Sequence, residues 1–249
     1  MQNILIMVIN MNRSHERWAS MSDQAAAMGL TITRVEALDG NEITEPEIYR
    51  LCDIDGCIAA HGRHLTRGEI GCYSSHVRAA QAFLDSGHGA AVVLEDDAEL
   101  LRGFPATIQN LCEANLRGFD MIRLQARRCG IALPVLGAEG LRVPLTRISG
   151  ATAYVINRRA AQAYVSKLLP AVVPFDHAFD RAFHLGIKVA AVYPFAVRCQ
   201  RTDSTIGTTV NATRVRGLKK LQALAWRAET ETARVVSSLV NINALGARP

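Results

Sequence analysis

The sequence has no long apolar run. Its most hydrophobic stretches, residues 4–9 and 90–94 among them, are only five or six residues long, whereas a helix that crosses a bilayer needs about 20. The N-terminus has no basic segment before its first apolar run and turns polar after Ile9, so we expect no signal peptide. These two absences predict a cytoplasmic protein without a membrane-spanning helix.

Common nucleotide-binding signatures are also missing. No Gly-x-Gly-x-x-Gly or Walker loop follows the first apolar run, which argues against a dinucleotide-binding or P-loop enzyme. Aromatic residues make up only 6% of the chain, which is few for a surface on which bases stack. The six cysteines are scattered along the chain, which favours a reducing compartment over a disulfide framework.

The positive charge is concentrated in one segment. The net charge is +5, and residues 214–228 alone hold five basic residues and no acid, namely Arg214, Arg216, Lys219, Lys220 and Arg227. The rest of the molecule is therefore nearly neutral, and it offers no extended basic groove for a phosphate backbone. We expect no nucleic-acid partner, although a nucleic-acid-binding protein that uses this segment is retained as an alternative.

The chain itself has globular composition, with 49% hydrophobic and 20% charged residues. Residues 3–9 and 31–37 have strand character, and apolar residues recur at helical spacing between Trp18 and Met28, which predicts a βαβ unit with a parallel sheet. Further strands are predicted at 90–94, 119–125, 151–156 and 187–192, helices at 66–84, 157–169 and 176–185, and irregular structure at 41–65. This pattern predicts an α/β domain over residues 1–210, followed by a helical tail over residues 211–249.

Three acids, Glu95, Asp96 and Asp97, directly follow a buried strand. In open α/β sheets, ligands bind at the carboxyl ends of the strands. Adjacent acids raise one another's pKa unless a cation compensates their charge. Oxygen ligands with no Cys or His nearby suit Mg²⁺ or Mn²⁺ better than zinc. The alternative is a solvated acidic turn that caps the next helix.

Two other clusters of polar residues lie on predicted helices. Glu69 and His76 are seven residues apart, so they share one side of a helix. Their alternatives are structural, because Glu69 completes a capping box with Thr66 and His76 suits the border of the core. Further along, Asp176 and Asp180 share one polar stripe with two histidines; Asp176 is either a helix cap, a general base or a metal ligand.

Several of these motifs, taken in order, resemble one family. The resemblance rests on residues 8–14 with Arg17, 34–40, 65–72 with Ser75 and His76, and 94–98, and on later echoes at Gly150, Tyr154, Asp176 and 200–206. In this order they resemble glycosyltransferase family 25, which includes the bacterial lipopolysaccharide and lipooligosaccharide glycosyltransferases and is related to the animal collagen galactosyltransferases. The resemblance spans about residues 3–207.

The resemblance implies a GT-A-type fold, a Rossmann-like sheet that binds a nucleotide-sugar with Mn²⁺ (or Mg²⁺) at an Asp-x-Asp-like site. The counterpart here is Glu95-Asp96-Asp97, which has Glu in place of the first Asp. Asp97 is then the expected direct metal ligand, and Glu95 and Asp96 are expected to bind the metal or the nucleotide through water or ribose. The family suggests UDP-galactose as donor, a lipopolysaccharide or other lipid-linked glycan as acceptor, and inversion of configuration.

Inversion requires a base near the acceptor hydroxyl. Asp176 is the first candidate for this base, and Asp180 is the second. Asn10, Arg13 and Asp39 lie at the ends of the first two strands, where a nucleotide is expected, and Glu69 and His76 are expected to line the same cleft. The remaining alternative on this scaffold is a nucleotidyltransferase.

The residue pattern of the tail, 211–249, predicts an amphipathic helix with a basic flank. Its apolar stripe recurs at spacings of three and four, through Leu218, Leu221, Ala225, Ala228, Thr232, Val235 and Leu239. One interpretation is a peripheral helix on the anionic inner face of the membrane, near a lipid-linked acceptor. The other is a helix packed on the domain or on a second subunit, which would make a homo-oligomer.

Overall fold

A computed structural model describes residues 4–128, 130–200 and 218–246, and within the last segment it describes side chains only for residues 225–226 and 228–240. The strands are β1 (Ile4–Asn10), β2 (Thr33–Glu36), β3 (Ala90–Glu95), β4 (Ala98–Leu100), β5 (Met121–Arg123), β6 (Ala132–Pro134), β7 (Leu141–Pro144), β8 (Ala153–Asn157), β9 (Val189–Val192) and β10 (Val197–Cys199). The α-helices are α1 (His15–Ala27), α2 (Glu45–Leu51), α3 (Ile54–His61), α4 (Arg67–Asp85), α5 (Phe104–Glu113), α6 (Arg158–Lys167), α7 (Phe175–Asp180) and α8 (Leu218–Gly246).

Eight strands form one mixed sheet in the order β2-β1-β3-β8-β5-β9-β7-β6, and β10 pairs with β4 beside it. β1 pairs in parallel with β2 on one side and with β3 on the other. The chain therefore leaves β1 first toward one edge and later returns to its other side, and such a reversal of strand order opens a crevice at the carboxyl ends. The predicted α/β class is confirmed, and the sheet with its flanking helices is consistent with a GT-A-like, Rossmann-type fold.

Both faces of the sheet are buried. Along β1, Met7 and Ile9 pack into one core and Ile6 and Val8 into the other, because successive side chains of a strand point to opposite faces. Two hydrophobic layers of this kind are typical of sheets that are covered by helices on each side.

Two of the predicted boundaries were wrong. Residues 41–65 are not irregular, because they form α2 and α3. Their helix signals are local caps, the Thr44–Glu47 capping box and the Asp53 side chain that accepts from the Gly56 amide, while each helix is too short for a clear apolar period. The helix predicted at 176–185 is interrupted, since α7 ends at Asp180 and a 3₁₀ turn follows at Ala182–Leu185.

Helix α4 approaches the loop after β2 unusually closely. A Cβ on Gly71 would lie 2.5 Å from the carbonyl oxygen of Leu38, so only glycine fits without a shift of the backbone. Ser75 Oγ accepts from the Leu38 amide at 2.8 Å and donates to the Gly71 carbonyl at 2.6 Å. This contact fixes α4 across the carboxyl end of the sheet and directs its first two turns into the crevice.

Helix α8 packs on the domain through a face that its hydrophobic pattern did not indicate. The described members of the predicted apolar stripe, Ala225, Ala228, Thr232, Val235 and Leu239, are all exposed, and Leu218 and Leu221 lie outside the described side chains. The buried residues of α8 are instead Thr230, Arg234 and Ser238. No helix among the described residues is long and apolar enough to cross a bilayer.

Candidate active site

A cleft of about 1180 Å³ opens at the carboxyl ends of β1, β2 and β3. Most of the residues singled out in the sequence line it: Arg13, Asp39, Glu69, His76, Glu95, Asp96, Asp97 and Asp176. Asn10 lies just beneath its wall and contacts it through Asp96, while Asp180 lies behind it in a buried cluster. Residues that are distant in sequence therefore meet in one concave site, as strand-end geometry predicts.

Asp96 is fully engaged by its neighbours. Asn10 Nδ2 donates to one carboxylate oxygen at 2.7 Å, and Arg17 Nη1 lies 3.2 Å from the other. Both partners come from β1 and the start of α1, so Asp96 ties the end of β3 to the end of β1. This contact positions the acidic turn after β3 relative to β1.

Glu95 is held by groups from α4. His76 Nε2 lies 3.2 Å from Glu95 Oε1, and the thiol of Cys72 lies 3.9 Å from the same oxygen. Burial opposes the ionisation of Glu95, but His76, together with Thr152 and Arg127, keeps the pKa of this carboxyl below its ordinary value. The expectation that no Cys or His lies near the acids was wrong, because α4 brings both to Glu95, and the three ligand atoms lie within 4.8 Å of one another.

His76 is itself locked in place. Its Nδ1 lies 2.9 Å from the Tyr154 hydroxyl, and its ring stacks on Phe175 at 3.8 Å with an interplanar angle of 4°. With the second ring nitrogen engaged and the ring clamped, Nε2 has one direction available, toward Glu95. Histidines that serve metal sites or their ligands are oriented in this manner.

Asp97 differs from the two acids before it. Its Oδ1 is buried and has no hydrogen-bond partner among the residues that the structure describes, while Oδ2 accepts from the Cys199 thiol at 3.4 Å. Burial, followed by the charge of Glu95, raises the pKa of Asp97 to about 6. An unpartnered carboxylate oxygen beside a second carboxylate is the arrangement that a divalent cation compensates. Asp97 and Glu95 therefore fit the metal that the sequence led us to expect.

Glu69 and Asp39 are occupied by ion pairs. Arg63 binds Glu69 through both guanidinium ends, at 2.5 and 2.7 Å, and the Thr66 amide donates to the same carboxylate. These partners overcome the effect of burial and lower the pKa of Glu69. Asp39 pairs with Arg13 and accepts from the Asn41 amide. Glu69 thus acts first as the cap and brace of α4, although one side of it faces the cleft.

The two acids of α7 have separate environments. Asp176 is 43% exposed in the cleft, where Arg147 Nη2 lies 3.8 Å from its Oδ2. Burial raises the pKa of Asp176, and Arg147 opposes that shift. Asp180 is 3% exposed and is surrounded by Arg234, Arg123 and Arg147 at 2.9, 3.3 and 3.6 Å. Only Asp176 has access to a ligand in the cleft.

The wall opposite the acids is basic, which the sequence analysis missed. Arg127, Arg128 and Arg147 line it, and the first two form no ion pair with a described acid. Their backbones are joined, since the Arg127 amide donates to the Ser149 carbonyl and the Ser149 amide donates to the Arg128 carbonyl. Arg127 and Arg128 follow a predicted strand just as the acids do, so the strand-end argument applied to the acids could have found them.

The sequence comparisons identify the family. The profile of glycosyltransferase family 25, described as an LPS biosynthesis protein, matches residues 3–129, just over half of the chain. The chain belongs to glycosyltransferase family 25. The matched segment contains every cleft residue that comes from β1, β2, α4 and β3.

Curated relatives agree with this family. The chain is 25% identical over 180 residues to procollagen galactosyltransferase 1 of Danio rerio, covering 69% of this chain and 30% of the relative. It is 30% identical over 95 residues to a glycosyltransferase 25 family member of Anopheles gambiae, covering 37% and 16%. It is also 29% identical over 112 residues to a probable inactive glycosyltransferase 25 family member 3 of Rattus norvegicus, covering 43% and 19%. The chain thus spans less than a third of the length of these relatives, one of which is named as a galactosyltransferase and another as probably inactive.

Proposed function

We propose that this family 25 protein transfers a hexose from a nucleotide-sugar to a glycan acceptor with the help of a divalent cation. The observation that carries the proposal is the unpartnered, buried Oδ1 of Asp97 next to Glu95, at the carboxyl end of β3 and inside a large cleft. Two partly buried carboxylates with one oxygen unsatisfied destabilise the metal-free fold, and a bound cation would compensate their charge.

Glu95 and Asp97 would hold the cation, with Mn²⁺ as the expected ion and Mg²⁺ as its substitute. When bound, such a cation stabilises the negative charge that develops on the diphosphate leaving group. His76 and Cys72 keep Glu95 in place, and Arg17 and Asn10 keep Asp96 in place. The four supporting side chains thereby fix the ends of β1 and β3 around the donor.

The donor half of the cleft lies along Arg13, Arg17 and Asp39, where the nucleotide would bind. We propose UDP-galactose as the donor because one relative is named as a galactosyltransferase. We propose a lipopolysaccharide or lipooligosaccharide acceptor because the family is described by LPS biosynthesis. Arg127 and Arg128 face this region from the opposite wall and are placed to attract the diphosphate.

The acceptor half lies at Asp176. This carboxylate accepts the proton of the attacking hydroxyl while the hydroxyl oxygen bonds to the anomeric carbon and the bond to the diphosphate oxygen breaks. Attack from the side opposite the diphosphate inverts the configuration at that carbon. Arg147 holds Asp176 in its ionised form before the reaction, and the exposed side chain gives an acceptor access to it.

Ligand-dependent thermal stability tests the proposal without knowledge of the acceptor. The protein is heated alone, with Mn²⁺, and with Mn²⁺ plus UDP-galactose, UDP-glucose or GDP-mannose. We expect at least one uridine nucleotide-sugar to raise the melting temperature beyond Mn²⁺ alone, since a ligand that binds only the native state stabilises it. If no nucleotide-sugar does so at millimolar concentration, the proposed function is wrong.

A further inference from the structure

Helix α7 links the cleft to a buried cluster of charges behind it. The helix has six residues, so it spans only about 9 Å. Its first turn carries Phe175, which stacks on His76, and Asp176, which faces the cleft. Its last residue is Asp180, which is buried among arginines. A helix this short is not stable alone, so its position depends on the packing of Phe175 at its first turn and on the contacts of Asp180 at its C-terminal end.

Arg234 from α8 makes the strongest of these contacts. Its Nη1 donates to the backbone carbonyl oxygen of Asp180, and its Nη2 lies 2.9 Å from Asp180 Oδ2. The first bond satisfies a helix-end carbonyl, which has no partner within the helix, and the guanidinium charge lies at the negative end of the helix dipole. Arg234 is only 4% exposed, so water weakens neither interaction.

Arg147 connects this cluster to the cleft. Its Nε lies 3.6 Å from Asp180 Oδ2 and its Nη2 lies 3.8 Å from Asp176 Oδ2, so the two carboxylates share one guanidinium. Arg234 binds the same Asp180 oxygen more closely than Arg147 does. While Arg234 occupies that oxygen, Arg147 remains available to Asp176.

From this geometry we infer that Arg234 of the C-terminal helix is a positioning residue for the proposed transfer reaction, because it anchors the end of α7 and leaves Arg147 free to pair with Asp176. The inference rests on the proposed function for the role of Asp176. It assigns α8 a place in the enzyme through its polar, buried face, independent of what its exposed apolar face contacts.

Loss of Arg234 should raise the pKa of Asp176. Asp180 would then draw Arg147 toward itself, and Asp176 would lose its nearest cation. The other charged or titratable groups that act on Asp176 are Glu69 of α4, which raises its pKa, and His61 of α3, which lowers it; Cys72 of α4 also interacts with it. None of these replaces Arg147, so the pKa of Asp176 rises, by about one unit for a carboxylate that loses an adjacent arginine.

The test is an Arg234→Met variant with Thr230→Ala as its matched control. Thr230 is buried one turn earlier on the same face of α8 and hydrogen-bonds only within its own helix in the described contacts, so its loss weakens packing without reaching α7. The variant should still fold, because Arg123 and Arg147 remain beside Asp180. An Arg234→Lys variant, which keeps the charge but makes fewer hydrogen bonds, should show a smaller change.

The primary measurement is the titration of the Asp176 carboxyl by NMR, assigned with an Asp176→Asn sample. We expect the midpoint to rise by about one unit in Arg234→Met, to rise less in Arg234→Lys, and to stay unchanged in Thr230→Ala. The acid limb of kcat/KM should move in parallel, with a loss of about tenfold below the midpoint, while KM for the donor is unchanged. An unchanged titration in Arg234→Met would overturn the inference whether or not the protein is active. A shifted titration in a protein that transfers no sugar would leave the positioning contact intact and contradict the proposed function alone.

Discussion

The carboxylates at the end of β3 and at the end of α7 have opposite surroundings. At the end of β3, Glu95 and Asp97 are two residues apart, burial and the charge of Glu95 raise the pKa of Asp97 to about 6, and one oxygen of Asp97 has no partner among the described residues. At the end of α7, the single carboxylate of Asp180 is surrounded by three arginines and also accepts from the Ile148 amide at 3.0 Å.

The difference separates a site for a ligand from a structural cluster. The β3 site has an excess of negative charge and an open cleft in front of it, so a cation and a diphosphate can complete it. In the α7 cluster, three arginines surround the buried carboxylate of Asp180, and Glu231 and Asp176 pair with two of those arginines, so the cluster needs nothing further. Buried charge by itself therefore does not identify an active site; a carboxylate that lacks partners and is accessible from a cleft does so.

The largest expected effect is on catalysis at the β3 site. Asp97→Asn removes one carboxylate that would hold the cation, and we expect transfer from a nucleotide-sugar to fall by about 10²–10³-fold, as when a group that stabilises transition-state charge is deleted. A radiolabelled donor assay measures this. Comparable activity in the variant and the wild type would show that Asp97 takes no part in catalysis, and that the end of β3 does not differ from the α7 cluster in the way proposed.

Asp176→Asn should lower kcat by about 10²-fold through loss of the proton acceptor. Binding of the donor should be retained, because Asp176 lies in the other half of the cleft. Thermal stabilisation by Mn²⁺ and the nucleotide-sugar provides the control: the variant should be stabilised as much as the wild type. Weakened donor binding together with an unchanged kcat would place Asp176 in the donor site instead.

At the α7 cluster, the corresponding substitution of an aspartate by asparagine should lower the stability of the fold. Asp180→Asn removes the carboxylate that three arginines share, although Asp176 still pairs with Arg147 and Glu231 with Arg234. Breaking a buried ion pair on one side costs about 3–5 kcal/mol in the free energy of unfolding. Urea unfolding followed by circular dichroism measures the loss. A variant as stable as the wild type would show that the cluster is not a structural anchor.

In contrast to Asp180→Asn, which should destabilise the fold, Asp97→Asn should stabilise it in the absence of metal. Its pKa in the folded protein, about 6, is above the ordinary value of 3.8, so the ionised form is disfavoured by folding and stability is lost as the pH rises from about 4 to 6. Without metal, Asp97→Asn should therefore melt at a higher temperature than the wild type at pH 7, and the difference should vanish near pH 4. Melting curves in a chelator across this range check the sign, and a variant that is less stable at pH 7 would contradict it.

The smallest effect is expected on the exposed face of α8. Val236 and Val240 are 57% and 60% exposed, so the Val236→Ser/Val240→Ser double variant should change the free energy of unfolding by no more than about 0.5 kcal/mol. Pelleting with anionic liposomes then tests the predicted peripheral membrane contact on a stable protein. Equal pelleting of the variant and the wild type would remove this face from any membrane interaction.

The sequence was most informative where a clear apolar pattern predicted a strand or helix and polar residues followed directly at its end. β1 and β3 were predicted from continuous apolar runs, and α4 from its helical apolar spacing and from the capping box of Thr66 and Glu69. The acids after β3 were found because ligands gather at strand ends. The contacts between them were not predictable: nothing in the spacing of His76 and Glu95 shows that a helix and a strand end will bring them to 3.2 Å.

The C-terminal helix α8 shows most clearly what the sequence could not predict. Its apolar period is present in the sequence, yet the described residues of the apolar stripe are exposed, while Arg234 and Ser238 are buried against the domain. A buried arginine is stable only when a carboxylate and a carbonyl group are placed to bind it. For Arg234 both groups belong to Asp180 of α7, which is 54 residues away along the chain. Patterns of hydrophobicity cannot report such a partner.

The central claim is that Asp97 and Glu95 together bind a divalent cation that completes a donor site. Electron paramagnetic resonance of Mn²⁺, titrated into the wild type and into Asp97→Asn with and without UDP, tests it most directly. We predict one bound Mn²⁺ per wild-type chain, held more tightly when UDP is present, and no such binding in the variant. Equal Mn²⁺ binding by both proteins, or binding indifferent to UDP, would contradict the account.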